Sequence, residues 1–541
     1  MKLLKNKFIY TLIVLVLTAT VTFSGCSEDV SDGAGRYFTY TLTANPQNLD
    51  PQLAEDEASL TLIKNTFTGL VGINTNGEIE KQIAVDYQIQ NNGLTYRFSL
   101  NDDCYWYSKN SDKGTVVTAQ DFVYAFQRIF NPDTHSPYRD MFKCIKNANA
   151  IINGEADYTT LGVYAESSDI LVFELDKADY SFIYLLTTAP AMPCNKAFFE
   201  KTNARYGLDE DSTISNGAFV IKQWFYDPYG KENFIALKRN SKNSSFAKVY
   251  PTGIRFNIEN DAEAPINNFY NELTECFITT QKYDKSLEES FYTKEYDFSS
   301  IGLIFNPNNE IFSNKKLQNA LIQGIDRVAY KDELSESLSP SASLIPDTIK
   351  LNGKGFEGGA IAPIDASQKA AAQEEWKTAM SELELVTINS GVVLIPDSID
   401  SGSMMTITRQ WQELFGAFIG VEYVTYEEYN KRIAEGKYDI ALVEISAEYN
   451  HPYYLLENYT EKLKSFGVDF TARTAELETL RMDNSTVEQY KSMETALLNE
   501  GGFIPLFYGK KYLVCNNHCK DIEINPFNNQ IDFKNAKWFG E

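Results

Sequence analysis

The sequence predicts an α/β fold with more than one lobe, and three observations support this. The chain has 541 residues, 43% of them hydrophobic, which suffices for a large core and for two to four domains or lobes. One segment, Thr118–Phe130, has the pattern of an amphipathic helix. From Leu383 onward, strand-like and helix-like segments alternate, and we find no internal repeat and no low-complexity segment.

The helix at Thr118–Phe130 has recognisable signals at both ends. Thr118 occupies the N-cap position and Asp121 completes a capping-box pattern. Pro132 ends the helix because proline cannot continue it. One apolar stripe at helical spacing is formed by Phe122, Ala125, Phe126, Ile129 and Phe130.

The alternation after Leu383 predicts parallel strands joined by crossover helices. The expected elements are a strand Leu385–Asn389, a helix Met404–Phe415, a strand Val421–Val424, a helix Tyr426–Glu435 and a strand Tyr438–Glu444. Upstream of them, Asn314–Leu334 is expected to be one long helix.

Residues 1–25 have the pattern of a targeting segment that is removed from the mature protein. Three lysines precede the apolar run Phe8–Phe23, which is too short and wrongly flanked for a membrane span. Small residues before Cys26 resemble a bacterial lipobox, which implies cleavage there and a lipid on the Cys26 thiol. Residues 26–35 would then be a polar tether. The alternative is plain secretion with a free Cys26.

The acidic composition excludes some partners. The formal net charge is −25, which argues against binding of nucleic acid or of an anionic membrane surface. Six cysteines remain after Cys26, and the sequence does not choose among their 15 possible pairings. Cys515 and Cys519 flank His518 without a second Cys/His pair, so we expect two thiols or one strained disulfide, not a zinc site.

Several segments, in fixed order, resemble motifs of the family 5 solute-binding proteins, the extracytoplasmic oligopeptide-binding proteins of ABC importers. The resemblance covers nearly all of residues 36–541. The matching segments are Leu49–Pro51, Phe67–Val71, Leu94–Leu100, Thr118–Pro132, Ser215–Phe219, Ile301–Asn306, Ala320–Arg327, Ile504–Tyr508 and Ile531–Lys534.

The resemblance implies a two-lobed periplasmic-binding-protein type II fold with an extra subdomain inserted in the first lobe. By analogy, residues 36–67, 189–300 and 508–541 form the first lobe, 68–188 the insert and 301–507 the second lobe. The chain then crosses between the lobes twice, and the ligand binds in the cleft that the lobes close. The resemblance also implies a monomeric lipoprotein on the outer face of the cell membrane, with an oligopeptide ligand, permease partners and no cofactor.

The expected binding residues lie around Tyr438–Pro452, at the end of a second-lobe strand, and Ile445 is one of them. Glu448 occupies the position of the family's aspartate that binds the peptide's α-amino group, and Tyr449 and Asn450 follow it. A carboxylate in a closing cleft bonds strongly to an ammonium group. The other interpretation is that Glu448 is a solvated loop acid, as most glutamates are.

This segment also departs from the family pattern. Leu442 and Ile445 replace an arginine and a tryptophan, so a cation for the ligand carboxylate and an aromatic platform are both missing. Glu444 replaces a glycine, and Glu55 matches an acidic pocket residue. With Glu448 these acids predict an acidic cleft, suited to a peptide amine, another cationic ligand or a metal complex.

Asn306 and Asn216 are expected to offer amides to a peptide backbone, which the family binds much like an added strand. We expect no catalytic residues: the motifs of serine hydrolases and zinc proteases are missing, and three scattered histidines provide little for a general base. A secreted hydrolase is therefore the least favoured alternative. A peptide-sensing receptor remains an open one, because the sequence does not separate import from sensing.

Overall fold

A computed structural model describes residues 36–109, 114–230, 232–242, 248–281, 290–358 and 361–539. The expected signal peptide, Cys26 and the tether lie outside these residues. The described part contains several β-sheets with helices packed against them, which confirms the predicted α/β class. None of its helices is long and apolar enough to cross a membrane.

The chain begins in the first lobe with one strand and one helix. They are β1 (Tyr37–Leu42) and α1 (Glu57–Thr66). Asp56 caps α1, since its side chain accepts a hydrogen bond of 2.9 Å from the Ser59 amide.

The next segment forms the insert, which we define by its own antiparallel sheet. Its elements are β2 (Val71–Ile73), β3 (Ile79–Lys81), β4 (Ala84–Gln90), β5 (Thr95–Leu100), β6 (Tyr105–Trp106), β7 (Thr115–Val116), α2 (Ala119–Phe130), α3 (Ala148–Ile152), β8 (Val163–Ser167), β9 (Ile170–Glu174) and α4 (Phe182–Leu185). The sheet order is β4-β5-β9-β8. Helix α2 confirms the predicted bounds and capping box: the Thr118 amide donates to Asp121 at 2.8 Å, and the ring of Phe126 packs on Phe173 of β9.

The chain then returns to the first lobe. This part contains α5 (Lys196–Lys201), β10 (Phe219–Phe225), β11 (Asn233–Arg239), β12 (Gly253–Ile258), α6 (Ala264–Tyr270) and β13 (Cys276–Thr279). The first-lobe sheet has the order β1-β12-β11-β10, in which β1 runs parallel to β12.

The remaining elements build the second lobe and the C-terminal return. They are β14 (Phe291–Phe305), α7 (Lys315–Gln323), β15 (Leu338–Pro340), α8 (Ala366–Glu382), β16 (Gly391–Pro396), α9 (Met404–Phe415), β17 (Ile419–Val424), α10 (Tyr426–Ala434), β18 (Ile440–Ser446), α11 (Pro452–Lys464), α12 (Thr471–Met482), α13 (Val487–Gly501), β19 (Phe503–Asn516), β20 (Cys519–Lys520), β21 (Glu523–Asn525), β22 (Gln530–Asp532) and β23 (Lys537–Trp538).

The largest sheet has the order β13-β19-β14-β18-β16-β17, with β15 paired to β19. Strands β17, β16 and β18 are parallel, as predicted, and α9 has the predicted bounds. Two predictions were wrong. The strand expected at Leu385–Asn389 begins later, at Gly391, after Glu384 adopts a positive φ of 55°. The long helix expected at Asn314–Leu334 ends at Gln323, and the amide of the C-cap residue Gly324 donates to the Ala320 carbonyl at 2.9 Å.

Strands β14 and β19 are much longer than their neighbours and pair with each other along most of their length. Their pairing runs from Phe291 opposite Asn516 to Ile304 opposite Phe503. At one end β19 pairs with β13 of the first lobe, and at the other end β14 pairs with β18 of the second lobe. In the predicted division these two strands carry the chain between the lobes, and we interpret them as the floor of the cleft. The domain boundaries given above remain predictions.

The described cysteines are all free thiols. Cys515 on β19 lies directly opposite Cys276 on β13, and Cys519 on β20 pairs with Trp538. Cys276, Cys515 and Cys519 are each at most 1% exposed, so this cluster belongs to the core rather than to a surface loop.

Candidate functional site

Strand β18 brings the predicted acidic segment to the cleft. Ile445 lies opposite Ser300 of β14 and is fully buried in the core, so we leave it out of the proposed binding site, although the sequence suggested a binding role. Glu444 is only partly buried. Its Oε1 would lie 3.6 Å from a Cβ built on Gly509 of β19, so its carboxylate lies over the crossing strands.

The loop after β18 holds Glu448 at the surface. Glu448 is exposed and its carboxylate hydrogen-bonds the Tyr449 phenol. Burial, and next the Glu448 charge, raise the pKa of Tyr449, so the phenol stays protonated and donates. The Oδ1 atom of Asn450 accepts a hydrogen bond of 3.0 Å from the Lys350 amide. Asn450 thus fixes the loop, while Glu448 remains accessible.

His451 anchors the same loop to the insert. Its Nδ1 accepts from the Tyr453 amide at 3.2 Å, and its ring lies 4.6 Å from that of Tyr184 on α4. Burial, and then the charge of Arg481, lower the pKa of His451 to about 3. Arg481 in turn contacts the buried Asp179 of the insert at 3.7 Å. Sequence reasoning missed the contact of His451 with the insert, although the sequence shows a His-Pro pair at the start of α11.

Glu55 lies on the first-lobe side, before α1, and is exposed. Next to it, the Tyr138 hydroxyl donates to the Ala54 carbonyl. Burial, and then the charges of Glu55 and Asp56, raise the pKa of Tyr138 to about 12. Tyr138 also contributes to the raised pKa of Tyr449, so these two phenols are neighbours. Glu55 lies beside Tyr138, and Glu448 lies beside Tyr449.

Asn216 and Asn306 have structural roles. The amide of Asn216 donates to the Thr68 carbonyl at 2.8 Å and accepts from the Thr68 amide at 3.1 Å. The amide of Asn306 donates to the carbonyls of Gly436 and Tyr438 at 3.0 and 2.7 Å. Both residues are at most 3% exposed. Because backbone groups occupy these amides, we leave both residues out of the proposed binding site, which corrects the expectation.

Lys511 is another residue of interest that sequence reasoning missed. It lies on β19, and it lines a cavity of about 340 Å³ bounded by β1, the start of α1 and the end of β13. Burial lowers the pKa of Lys511 to about 8, opposed by the charges of Glu57 and Glu444. The Lys511 cation therefore lies near Glu57 on α1 and near Glu444 on β18. Within the described residues, no cluster of three or more His, Cys, Asp or Glu side chains is placed to hold a metal ion.

Comparison with known proteins agrees with this architecture. Residues 78–466 match the model of the bacterial extracellular solute-binding proteins, family 5. The match covers more than half of the chain, and the chain therefore belongs to this family. Its members are extracellular or periplasmic binding proteins of transport systems rather than enzymes.

Individual relatives match over nearly their whole length. The oligopeptide-binding protein OppA of Bacillus subtilis is 24% identical over 97% of this chain and 99% of its own. A dipeptide-binding protein of Lactococcus lactis is 23% identical over 97% and 98%. The unliganded open form of MppA, a periplasmic murein tripeptide-binding protein, has a TM-score of 0.74 at 21% identity and covers 94% of this chain and 99% of its own. This structural likeness confirms the two-lobed fold.

Proposed function

We propose that this chain captures oligopeptides in the cleft between its lobes and delivers them to the permease of an ABC importer, as a monomer anchored to the outer face of the membrane by a lipid on Cys26. The proposal rests on one observation above all: Glu448 presents an exposed carboxylate directly after β18, at the carboxyl end of a parallel strand. The peptide-binding names of the relatives support the choice of ligand.

The geometry suits an α-amino group. The protonated Tyr449 phenol donates a single hydrogen bond to Glu448, which leaves further acceptor sites on the carboxylate for a ligand ammonium. Glu55 adds a second exposed acid from the opposite side of the cleft. Closure of the lobes would exclude water and strengthen these charge-assisted hydrogen bonds.

The proposal is tested on chain starting at residue 27, purified without denaturation. Native mass spectrometry should reveal bound peptides, and denaturation should release them intact because no hydrolysis is expected. After refolding without ligand, calorimetry with a peptide mixture should restore binding. A co-purifying metal complex or other cationic solute, with no binding of any peptide, would contradict the proposal.

A further inference from the structure

Lys511 carries a buried positive charge that has no ion pair in the described part of the chain. Lys511 is only 5% exposed. The ammonium donates one hydrogen bond, to the Pro526 carbonyl, and lies 4.5 Å from the centre of the Phe298 ring. No carboxylate of the described residues lies within 4.0 Å of it. An ammonium has three donors, so this arrangement leaves capacity for a further acceptor.

The surroundings of Lys511 explain why it is not simply paired with a neighbouring acid. Glu57 and Glu444 are close enough to favour its charged form, yet neither contacts it. Glu57 instead accepts a hydrogen bond of 2.8 Å from Asn529. Burying a charge without a counter-ion is costly unless another group compensates it. A ligand carboxylate in the adjoining cavity would supply that compensation.

The cavity beside Lys511 also contains unused acceptors. Asp56 and Asn529 both line it, and each has one buried side-chain oxygen, Oδ2 and Oδ1 respectively, without a hydrogen-bond partner among the described residues. Such oxygens suit an N–H donor. A carboxylate next to an amide N–H is the combination that the last residue of a peptide presents.

We infer that Lys511 forms a subsite for a ligand carboxylate, and that this chain therefore favours ligands carrying both an amine and a carboxylate. The inference rests on the proposed peptide-binding function and specifies its ligand further. It also accounts for Leu442, which stands on β18 where the family has an arginine. Lys511 on β19 would supply the cation that Leu442 does not. The carboxylate belongs either to the peptide C-terminus or to an acidic side chain.

The test compares tri-, tetra- and penta-alanine as free acids and as C-terminal amides, by calorimetry. For wild-type chain we expect the free acid to bind at least about tenfold more tightly than the amide. Lys511→Met should abolish that preference. Lys510→Met is the matched control: Lys510 is the adjacent residue and already pairs with Glu295 at 2.8 Å, so the preference should persist.

A third set of peptides identifies the source of the carboxylate. If an amidated peptide with a glutamate side chain regains the affinity in wild-type chain but not in Lys511→Met, the subsite accepts acidic side chains. If only the free acid binds tightly, the subsite recognises the carboxylate of the peptide C-terminus. Equal binding of acid, amide and glutamate peptides by wild-type chain would overturn the inference while leaving peptide binding intact, and it needs no folded variant. Failure of every peptide to bind would instead overturn the proposed function.

Discussion

The guanidinium of Arg128 and the carboxylate of Asp50 form a buried bidentate ion pair, with N–O distances of 3.0 and 2.5 Å. Arg128 also donates to Gln52 at 2.8 Å and lies over the Phe199 ring. The pair joins α2 of the insert to the turn after β1. Arg128 and Asp50 lie 78 residues apart in the sequence, and this ion pair joins their two motifs into one structural unit.

Breaking this pair should destabilise the fold strongly. Arg128→Met leaves the Asp50 charge buried without a partner, and we expect a loss of about 3–5 kcal/mol in the free energy of unfolding, measured with urea. Arg97→Met is the control, because the Arg97–Glu166 pair is 31% and 42% exposed and should contribute no more than about 1 kcal/mol. Similar losses of unfolding free energy in both variants would show that the buried Arg128–Asp50 pair stabilises the fold no more than an exposed pair does.

His451 should make the protein sensitive to mild acid. Its pKa in the folded state, about 3, lies below the ordinary value of 6.5, so between these values the unfolded chain binds a proton that the folded chain does not. Stability should therefore fall with decreasing pH by about 1.4 kcal/mol per unit from this residue. His451→Gln should remove that component. Parallel stability curves for wild type and variant from pH 7 to pH 4 would contradict the buried neutral histidine.

The cysteines should be unreactive in the folded protein. Five of the six described thiols are buried and Cys144 is partly so. Burial raises the pKa of the thiols of Cys104, Cys144, Cys194, Cys276 and Cys519, which keeps them protonated. In a Cys26→Ala protein, a thiol reagent at pH 8 should modify none of them quickly, and all six after denaturation. Recovery of only four thiols under denaturing conditions would reveal a disulfide.

Lipid attachment at Cys26 is tested in cells. Cys26→Ala should abolish metabolic labelling with a fatty acid and release the protein from the membrane fraction. Replacing Cys104, a buried core cysteine, is the comparison, because it should leave the label in place. Labelling that survives in Cys26→Ala would mean that the lipobox interpretation is wrong.

The sequence predicted local elements well where their periodicity and end signals agree. Helix α2 has a capping box and a stopping proline, and α9 has a clear stripe, so both were bounded correctly. The ends of β16 and α7 were wrong because a loop with a positive φ at Glu384 and a helix stop at Gly324 interrupt otherwise regular patterns. At Glu384 a positive φ outweighs side-chain periodicity. At Gly324 the backbone is right-handed, with a φ of −79°, and the Phe415 ring lies only 2.8 Å from where a Cβ would be.

The site was harder to predict, because its residues come from both lobes. Glu448 was found through its motif, yet the same reasoning gave ligand roles to Asn216 and Asn306, whose partners are backbone groups distant in sequence. Lys511 has no motif around it. Its importance depends on the lack of an ion pair and on a neighbouring cavity, and neither property is visible along one strand.

The central claim is that Glu448 binds the α-amino group of a peptide, and one calorimetric comparison tests it most directly. Glu448→Gln keeps the shape of the side chain and removes its charge, so it should weaken binding of a free peptide by ~1.5–3 kcal/mol. Binding of the N-acetylated peptide, already weaker, should scarcely change, because the charged partner is gone.

Glu461→Gln is the matched control for that comparison, since Glu461 is an exposed acid on α11 that pairs with Lys464 within the same helix. It should leave the affinities for both peptides unchanged. The account predicts that the loss in Glu448→Gln is confined to the free peptide. Equal losses for free and acetylated peptide in Glu448→Gln would contradict the amine-binding role of Glu448.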